Sequence, residues 1–197
     1  MADDAARTRE LLVAAREGRP GALAGLFPIV YEQLRSIAHG WFGSGRAGAH
    51  DTLQPTGLVH EAFVKLAGAD AAPKDREHFL AIAAKAMREI LVDRARRRSA
   101  GKRGGGRTRA TLGGDLDQLV CEGGGDDELL ALDEAMRRLA ELDERQARIV
   151  ELRFFGGMTG AEIAAHEGVS RNTVVRELTM ARAWLLQQLD EPGGAGD

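Results

Sequence analysis

Residues 158–186 read MTGAEIAAHEGVSRNTVVRELTMARAWLL, the pattern of a short helix, a tight turn and a longer second helix. Thr159 stands where it can cap the first helix, and Glu162, three residues on, completes a capping box. Ile163 and Ala164 supply the inner side of that helix, with Ala164 small where a second helix must cross close by. Gly168 ends it at a position suited to left-handed backbone. Val169 plugs the corner, and Ser170 caps the next helix by accepting a backbone N–H. Val174, Leu178, Ala181 and Leu185 then recur at spacings of four, three and four, one apolar stripe. The opposite face carries Arg171, Asn172, Thr173, Arg176, Thr179 and Arg182. Such side chains grip phosphates and read base edges from the start of a helix that enters a major groove. An ordinary helical hairpin with a solvated basic face shares this spacing, so the rest of the chain must decide.

A chain of 197 residues holds one sizeable domain or two small ones. Its net charge of −3 excludes a protein that coats DNA by general basicity. Only 5% of residues are aromatic and proline is scarce in the periodic segments, so an all-α fold is expected. Cys121 is the sole cysteine, which rules out an intramolecular disulfide and suits a reducing compartment. No apolar run is long enough to span a membrane, and the opening MADDAARTRE lacks a signal-peptide core. A soluble, cytoplasmic protein is expected.

Residues 8–16 form a short helical candidate, closed by Gly18, Arg19 and Pro20. Leu23, Leu26, Phe27, Val30, Tyr31, Leu34, Ile37, Ala38 and Trp41 trace one face of a long helix, with Pro28 expected to kink it or mark its first turn. Residues 43–57 read as a loop. Leu58, Val59, Ala62, Phe63 and Leu66 mark an amphipathic helix with His60, Glu61 and Lys65 on its outer side. A loop over 68–75 leads to a third helix over 77–98, where Leu80, Ala84, Met87 and Leu91 repeat at four, three and four. That helix runs into a basic tract: Arg94, Arg96, Arg97, Arg98, Lys102, Arg103, Arg107 and Arg109. Because the first of these arginines continue a well-formed helix, they are better placed to hold a phosphate backbone than a loose tail is.

Residues 99–127 have the composition of a tether, nine of the 29 being glycine, with charge turning from basic to acidic along them. The division expected is therefore a helical domain over 1–98, a flexible Gly-rich linker over 99–127, a second helical domain over 128–189 and a disordered tail over 190–197. In the second domain Leu129, Leu132, Ala135, Met136, Leu139 and Leu142 form the inner face of a helix. Asp143 caps the next, with Gln146 placed to reach back, and Ile149, Val150, Leu152 and Phe155 face inward. Gly156 and Gly157 end it. Residues 126–191 hold 14 acidic residues against eight arginines, yet the last helix sets three arginines against Glu177 alone. A local basic strip on an acidic module suits one placed DNA contact.

Catalysis has little to stand on. His60–Glu61 matches the first half of an HExxH zinc motif, but Val64 occupies the second histidine position, and His39, His50, His78 and His166 show no ligand spacing. There is no GxSxG, and Gly104–Gly106 lies in the tether rather than after a strand. No catalytic residue, metal or cofactor is expected.

The order of parts resembles the extracytoplasmic-function (ECF) group of bacterial sigma-70 factors. The phrases that carry it are LVHEAFVKLA (58–67), HFLAIAAKAMREILVDRARRR (78–98), LDERQARIVELRFFGGMTGAEIAAHEGVSRNTVVREL (142–178) and ARAWL (181–185). The resemblance covers about 9–100 and 128–189. It implies two helical domains of the sigma region 2 and region 4 type, with core RNA polymerase and promoter DNA as partners. Leu58, Glu61, Ala62 and Lys65 would serve the surface that docks on core polymerase. Phe79, Lys85, Arg88, Glu89, Arg94, Arg96 and Arg97 would meet the −10 element and help melt it. Arg171, Asn172, Thr173 and Arg176 would read the −35 element, with Ser170 among the DNA-binding residues at the helix start and Arg182 on phosphate. An anti-sigma factor is a further candidate partner. Two departures from the family pattern stand out: Ile82 takes the place of a tryptophan common in the melting helix, and Glu167 takes that of an apolar residue before the turn glycine. The Glu167 carboxylate must reach solvent or an arginine. The alternative reading is a stand-alone helix-turn-helix regulator that binds duplex DNA without polymerase.

Overall fold

The computed structural model describes residues 2–19, 21–41, 54–67, 73–101 and 126–190, and every regular element among them is an α-helix. In chain order these are α1 (Ala2–Arg16), α2 (Ala22–Trp41), α3 (Pro55–Ala67), α4 (Arg76–Gly101), α5 (Asp126–Leu142), α6 (Glu144–Phe154), α7 (Gly160–Glu167) and α8 (Arg171–Asp190). Most of the expected linker, including Cys121 and the cations Lys102, Arg103, Arg107 and Arg109, lies outside the described residues, as does the tail beyond Asp190.

α1 is longer than the 8–16 expected, and its Leu12 and Ala15 pack toward α2. Leu26, Val30, Leu34 and Ala38 make the buried face of α2, and the helix runs through Pro28 in its second turn. The proline is tolerated because it sits on the exposed face, where water can satisfy the carbonyl that loses its N–H partner. α3 begins at Pro55, whose fixed φ suits a first helical position, so the loop expected through 57 ends sooner. Leu58, Val59, Ala62 and Leu66 then bury against α2 and α4. Asp75 caps α4 by accepting the His78 backbone N–H at 2.7 Å. α4 continues to Gly101, past the expected end at 98, because its last turn is held from outside. Arg98 Nε lies 2.9 and 3.0 Å from the two Asp126 carboxylate oxygens, and Ser99 Oγ donates to Asp127 at 3.1 Å. Those same acids start α5 two residues earlier than expected and complement its N-terminal dipole.

In the C-terminal half the expected caps form. Asp143 accepts the Gln146 N–H at 3.0 Å. Thr159 and Glu162 make both bonds of the capping box, 2.8 Å from the Thr159 N–H and 3.2 Å from the Glu162 N–H. Gly168 is left-handed at φ 67°. One expectation fails on α5: its buried stripe stops at Leu139, and Leu142 is 70% exposed, because α6 turns away at the Asp143 cap.

Two arginines on α6 fasten both helices that follow. Arg145 donates to both carboxylate oxygens of Glu177 on α8, at 3.1 and 2.7 Å. Arg148 does the same to Glu167 at the end of α7, at 2.9 and 3.3 Å, and also bonds Glu144 at 3.1 Å. The Glu177 and Glu167 side chains are 4% and 6% exposed, so both carboxylates are desolvated and depend on their arginines. Glu167 has thus found its arginine. Glu177 faces the core and does not oppose the arginines of α8, contrary to the expectation from its position in sequence.

The two halves meet along α4, which packs on α5, α6 and α7, and their buried apolar residues form one continuous cluster. The Gly156–Gly157 turn makes this approach possible. Gly157 adopts φ 57°, and a Cβ there would stand 2.4 Å from Ile37 Cγ1 on α2. Beside it, Arg76 at the start of α4 donates to Glu162 of α7 at 2.8 Å and to Gln33 of α2 at 2.6 Å. His78 of α4 stacks on His166 of α7 with ring centroids 6.0 Å apart, and its Nδ1 accepts the Lys74 N–H at 3.0 Å. Burial, then the His166 charge and that of Lys74, hold His78 below its usual 6.5 against the opposing pull of Asp75. Glu162 is raised by burial, but its bonds from Thr159 and Arg76 outweigh that and set its pKa below 4.5.

Arg145→Ala strands the buried Glu177 carboxylate and should cost about 1–3 kcal/mol in urea unfolding. Replacing Glu177 by Leu in the same chain should return part of that loss, and equal stability of the two variants would show that the pair is not what holds α8. Acid should loosen the α4–α7 corner in two stages. The unfolded chain protonates at His78 first, so stability falls as pH drops below about 6.5; the Glu162 contribution is full above about 4.5 and is lost as pH falls through its lowered pKa. His78→Gln should flatten the upper stage in thermal melts run across that range, and an unchanged slope would exclude His78 as its source.

Candidate nucleic-acid interface

The fastening of α7 and α8 to α6 decides which side of α8 meets solvent. Val174, Ala181 and Leu185 are fully buried, with Leu178 packed against them. Ser170 Oγ accepts the Thr173 N–H at 3.0 Å and lies 2.8 Å from the Thr173 hydroxyl, which fixes the first turn. Arg171, Asn172 and Arg176 stand exposed on the outward face, Thr173 and Arg182 are half-buried, and Thr179 spends its hydroxyl on the Val175 carbonyl at 2.9 Å. With Glu177 turned inward, no carboxylate of α8's first turns shares that face. Val175 and Met180 do, 56% and 55% exposed. Sequence reasoning passed over both, because an apolar side chain beside a buried stripe reads as core.

α4 has a different character. Its inner side is Phe79, Leu80, Ala83, Ala84, Met87 and Ala95, all buried. Phe79 is only 3% exposed, so as the helix lies here it presents no ring face to a base; Ile82 is half-buried against the core. Lys85 and Arg97 are exposed. Arg88 is 16% exposed at its side chain: it donates to Glu151 at 2.9 Å and to Asp133 at 2.9 Å, and lies over the Phe155 ring at 5.8 Å. Arg96 reaches the same Asp133 at 3.1 Å.

On α3 the candidates divide by side. Leu58 and Ala62 belong to the core, 0% and 1% exposed, so they shape the helix rather than offer a surface. Glu61 and Lys65 face outward but are paired within the chain, Glu61 with Arg94 and Lys65 with Glu89. His60, the start of the near-miss zinc motif, lies beside Phe27 and Tyr31 with ring centroids at 5.9 and 6.3 Å. Among the described residues no three His, Cys, Asp or Glu side chains gather as a metal-holding group, and no helix is long and apolar enough to cross a membrane.

The structure therefore brings the α3 and α4 candidates together and sets the α8 candidates apart. Lys65, Lys85, Arg88, Glu89 and Arg96 line one open groove of about 460 Å³, whose far wall is Asp133, Arg137 and Glu151 of α5 and α6. Its chemistry is ionic, with cations matched inside the groove: Lys65 by Glu89, Arg88 by Asp133 and Glu151, Arg96 by Asp133. The α8 face suits a duplex groove, with arginine and asparagine at its leading turn.

Comparison with known proteins gives one family: the model of the ECF sigma factor family matches residues 6–191 of the 197-residue chain. No match is found among curated proteins or among solved structures. A match over almost the whole length, together with an all-helical fold that ends in a helix-turn-helix, places the protein: the chain belongs to the ECF sigma factor family and is a DNA-binding factor of promoter-specific transcription initiation.

Proposed function

We propose that this chain binds core RNA polymerase and brings it to promoters by two DNA contacts, α8 on the −35 element and α4 on the −10 element. The observation that carries the reading is the outward face of α8, where Arg171, Asn172 and Arg176 stand exposed on a helix capped by Ser170 and braced from behind by Arg145. Residues 1–98 and 128–189 act as the two modules and 99–127 as their tether. Each contact alone is modest; a tether and a common platform raise the effective concentration of the second once the first is made. Glu61 and Lys65 are the outward residues of α3 for the polymerase. On α4, Lys85, Arg88, Glu89, Arg94, Arg96 and Arg97 meet the −10 strand, and Phe79 supports them from the core. The chemistry of transcription is the polymerase's own, which puts the work of this chain in the cytoplasm.

In vitro transcription with purified core polymerase on a genomic library is the direct test. New transcripts that depend on the chain, sharing two upstream elements, are expected; duplex binding at a palindrome without polymerase would favour a stand-alone regulator. Arg176→Ala should weaken transcription that depends on the −35 element by about 1–3 kcal/mol if the side chain reads a base. Unaltered promoter choice would remove Arg176 from the readers. Reversing charge at Arg96 and Arg97 together should abolish permanganate reactivity around the start site, and wild-type melting would take the end of α4 out of the −10 contact.

A further inference from the structure

The arginines of α4 that face the C-terminal half are each met by a carboxylate from it. Asp133 takes Arg88 and Arg96, Glu151 takes Arg88, and Asp126 takes Arg98. A guanidinium binds carboxylate and phosphate through the same planar fork, so these acids hold α4 by the chemistry a DNA backbone would use. The acids are carried on α5 and α6, close against α4 across the Gly156–Gly157 turn, where a Cβ on Gly156 would already stand 3.2 Å from the Ala84 methyl. Of the exposed cations of α4, Arg96 is held by Asp133, while Lys85 and Arg97 are not among those these acids hold.

We propose that α5 and α6 are an internal stand-in for the −10 strand: in the free protein their carboxylates occupy Arg88 and Arg96 and tie down Arg98 at the end of α4, and the −10 element can engage α4 only when the C-terminal half leaves it. The inference rests on the reading of α4 as the −10 surface given above. Occlusion is one-sided. The exposed face of α8 points away from the helices that α8 packs on, so −35 binding stays open while −10 binding is closed. Asp133 has the feature a reversible contact needs. Its carboxylate also accepts Arg137 of its own helix at 2.8 Å, so on opening it keeps a cation while Arg88 and Arg96 are set free. A desolvated acid with no partner left behind would make opening far more costly.

The test uses the full chain, with Cys121→Ser and a fluorophore pair on Ser36→Cys and Ala165→Cys, and a fluorescent random-sequence single-stranded DNA as probe. Asp133→Asn with Glu151→Gln should lower energy transfer between the fluorophores and tighten binding of the probe about tenfold; adding Arg88→Ala should remove that gain. As a second route that does not depend on those two acids, Asp126→Arg alone should lower energy transfer, and Asp126→Arg with Arg98→Asp should restore it. Circular dichroism melts identify a variant that has merely unfolded, in which case the charge-swap pair decides. If Asp133→Asn with Glu151→Gln folds and binds the probe no better than the parent, the stand-in is overturned; so it is if the charge swap fails to restore energy transfer. Transcription by the parent protein with core polymerase separates the two levels. Active parent with unresponsive variants refutes the internal stand-in alone, whereas an inactive parent refutes the −10 reading and the stand-in with it.

Discussion

The bidentate grip of Arg145 on Glu177 is the contact on which the rest of the helix-turn-helix depends. The Glu177 side chain is only 4% exposed, so its carboxylate needs a partner inside the protein, and α6 supplies a guanidinium that is itself half in water. One turn further along, Arg148 meets Glu167 in the same way. The two pairs tie α7 and α8 to one helix at points either side of the Gly168 corner. Apolar burial along Val174, Ala181 and Leu185 supplies most of the attraction, but it is non-directional. The ionic forks add rotation and register, and so decide which residues of α8 face out.

That arrangement also resolves a tension in composition. The C-terminal half is rich in acids, yet has to present a surface that anionic DNA can approach. Several of its carboxylates are spent on contacts inside the protein. Glu167 and Glu177 brace the helix-turn-helix, Glu162 caps α7 and holds Arg76, and Asp126, Asp133 and Glu151 face α4. The outward face of α8 keeps Arg171, Asn172, Val175, Arg176, Thr179 and Met180 exposed. Net charge of a module is therefore a poor guide to the sign of one of its faces, because screening and pairing act over a few ångströms while the sum runs over the whole chain.

α4 carries two kinds of contact at once. Its apolar side sits in the same cluster as α2, α3, α5 and α6, and its arginine side meets the acids of the C-terminal half. Desolvating Arg88 between Asp133, Glu151 and the Phe155 ring is favourable only while all three partners are in place. Contacts of this sort make the arrangement specific and sensitive to whatever competes for the guanidinium.

Sequence by itself determined what is local in this protein. The caps at Asp143, Thr159 and Ser170, the left-handed Gly168, the stripe of α8 and the all-helical class all follow from neighbours within a turn or two, where side-chain type and spacing set the geometry directly. Burial is decided by partners distant in sequence, and there spacing alone is an incomplete guide. Leu142 has the spacing of a core residue and lies in water, Glu177 has the look of a surface acid and lies in the core, and Leu58, Ala62 and Phe79, candidates by resemblance, are buried. The occupation of Arg88 by Asp133, 45 residues away, belongs to the tertiary structure alone. Ion pairs leave no periodic trace in a sequence, since any exposed arginine can meet any exposed acid until the fold removes both from solvent.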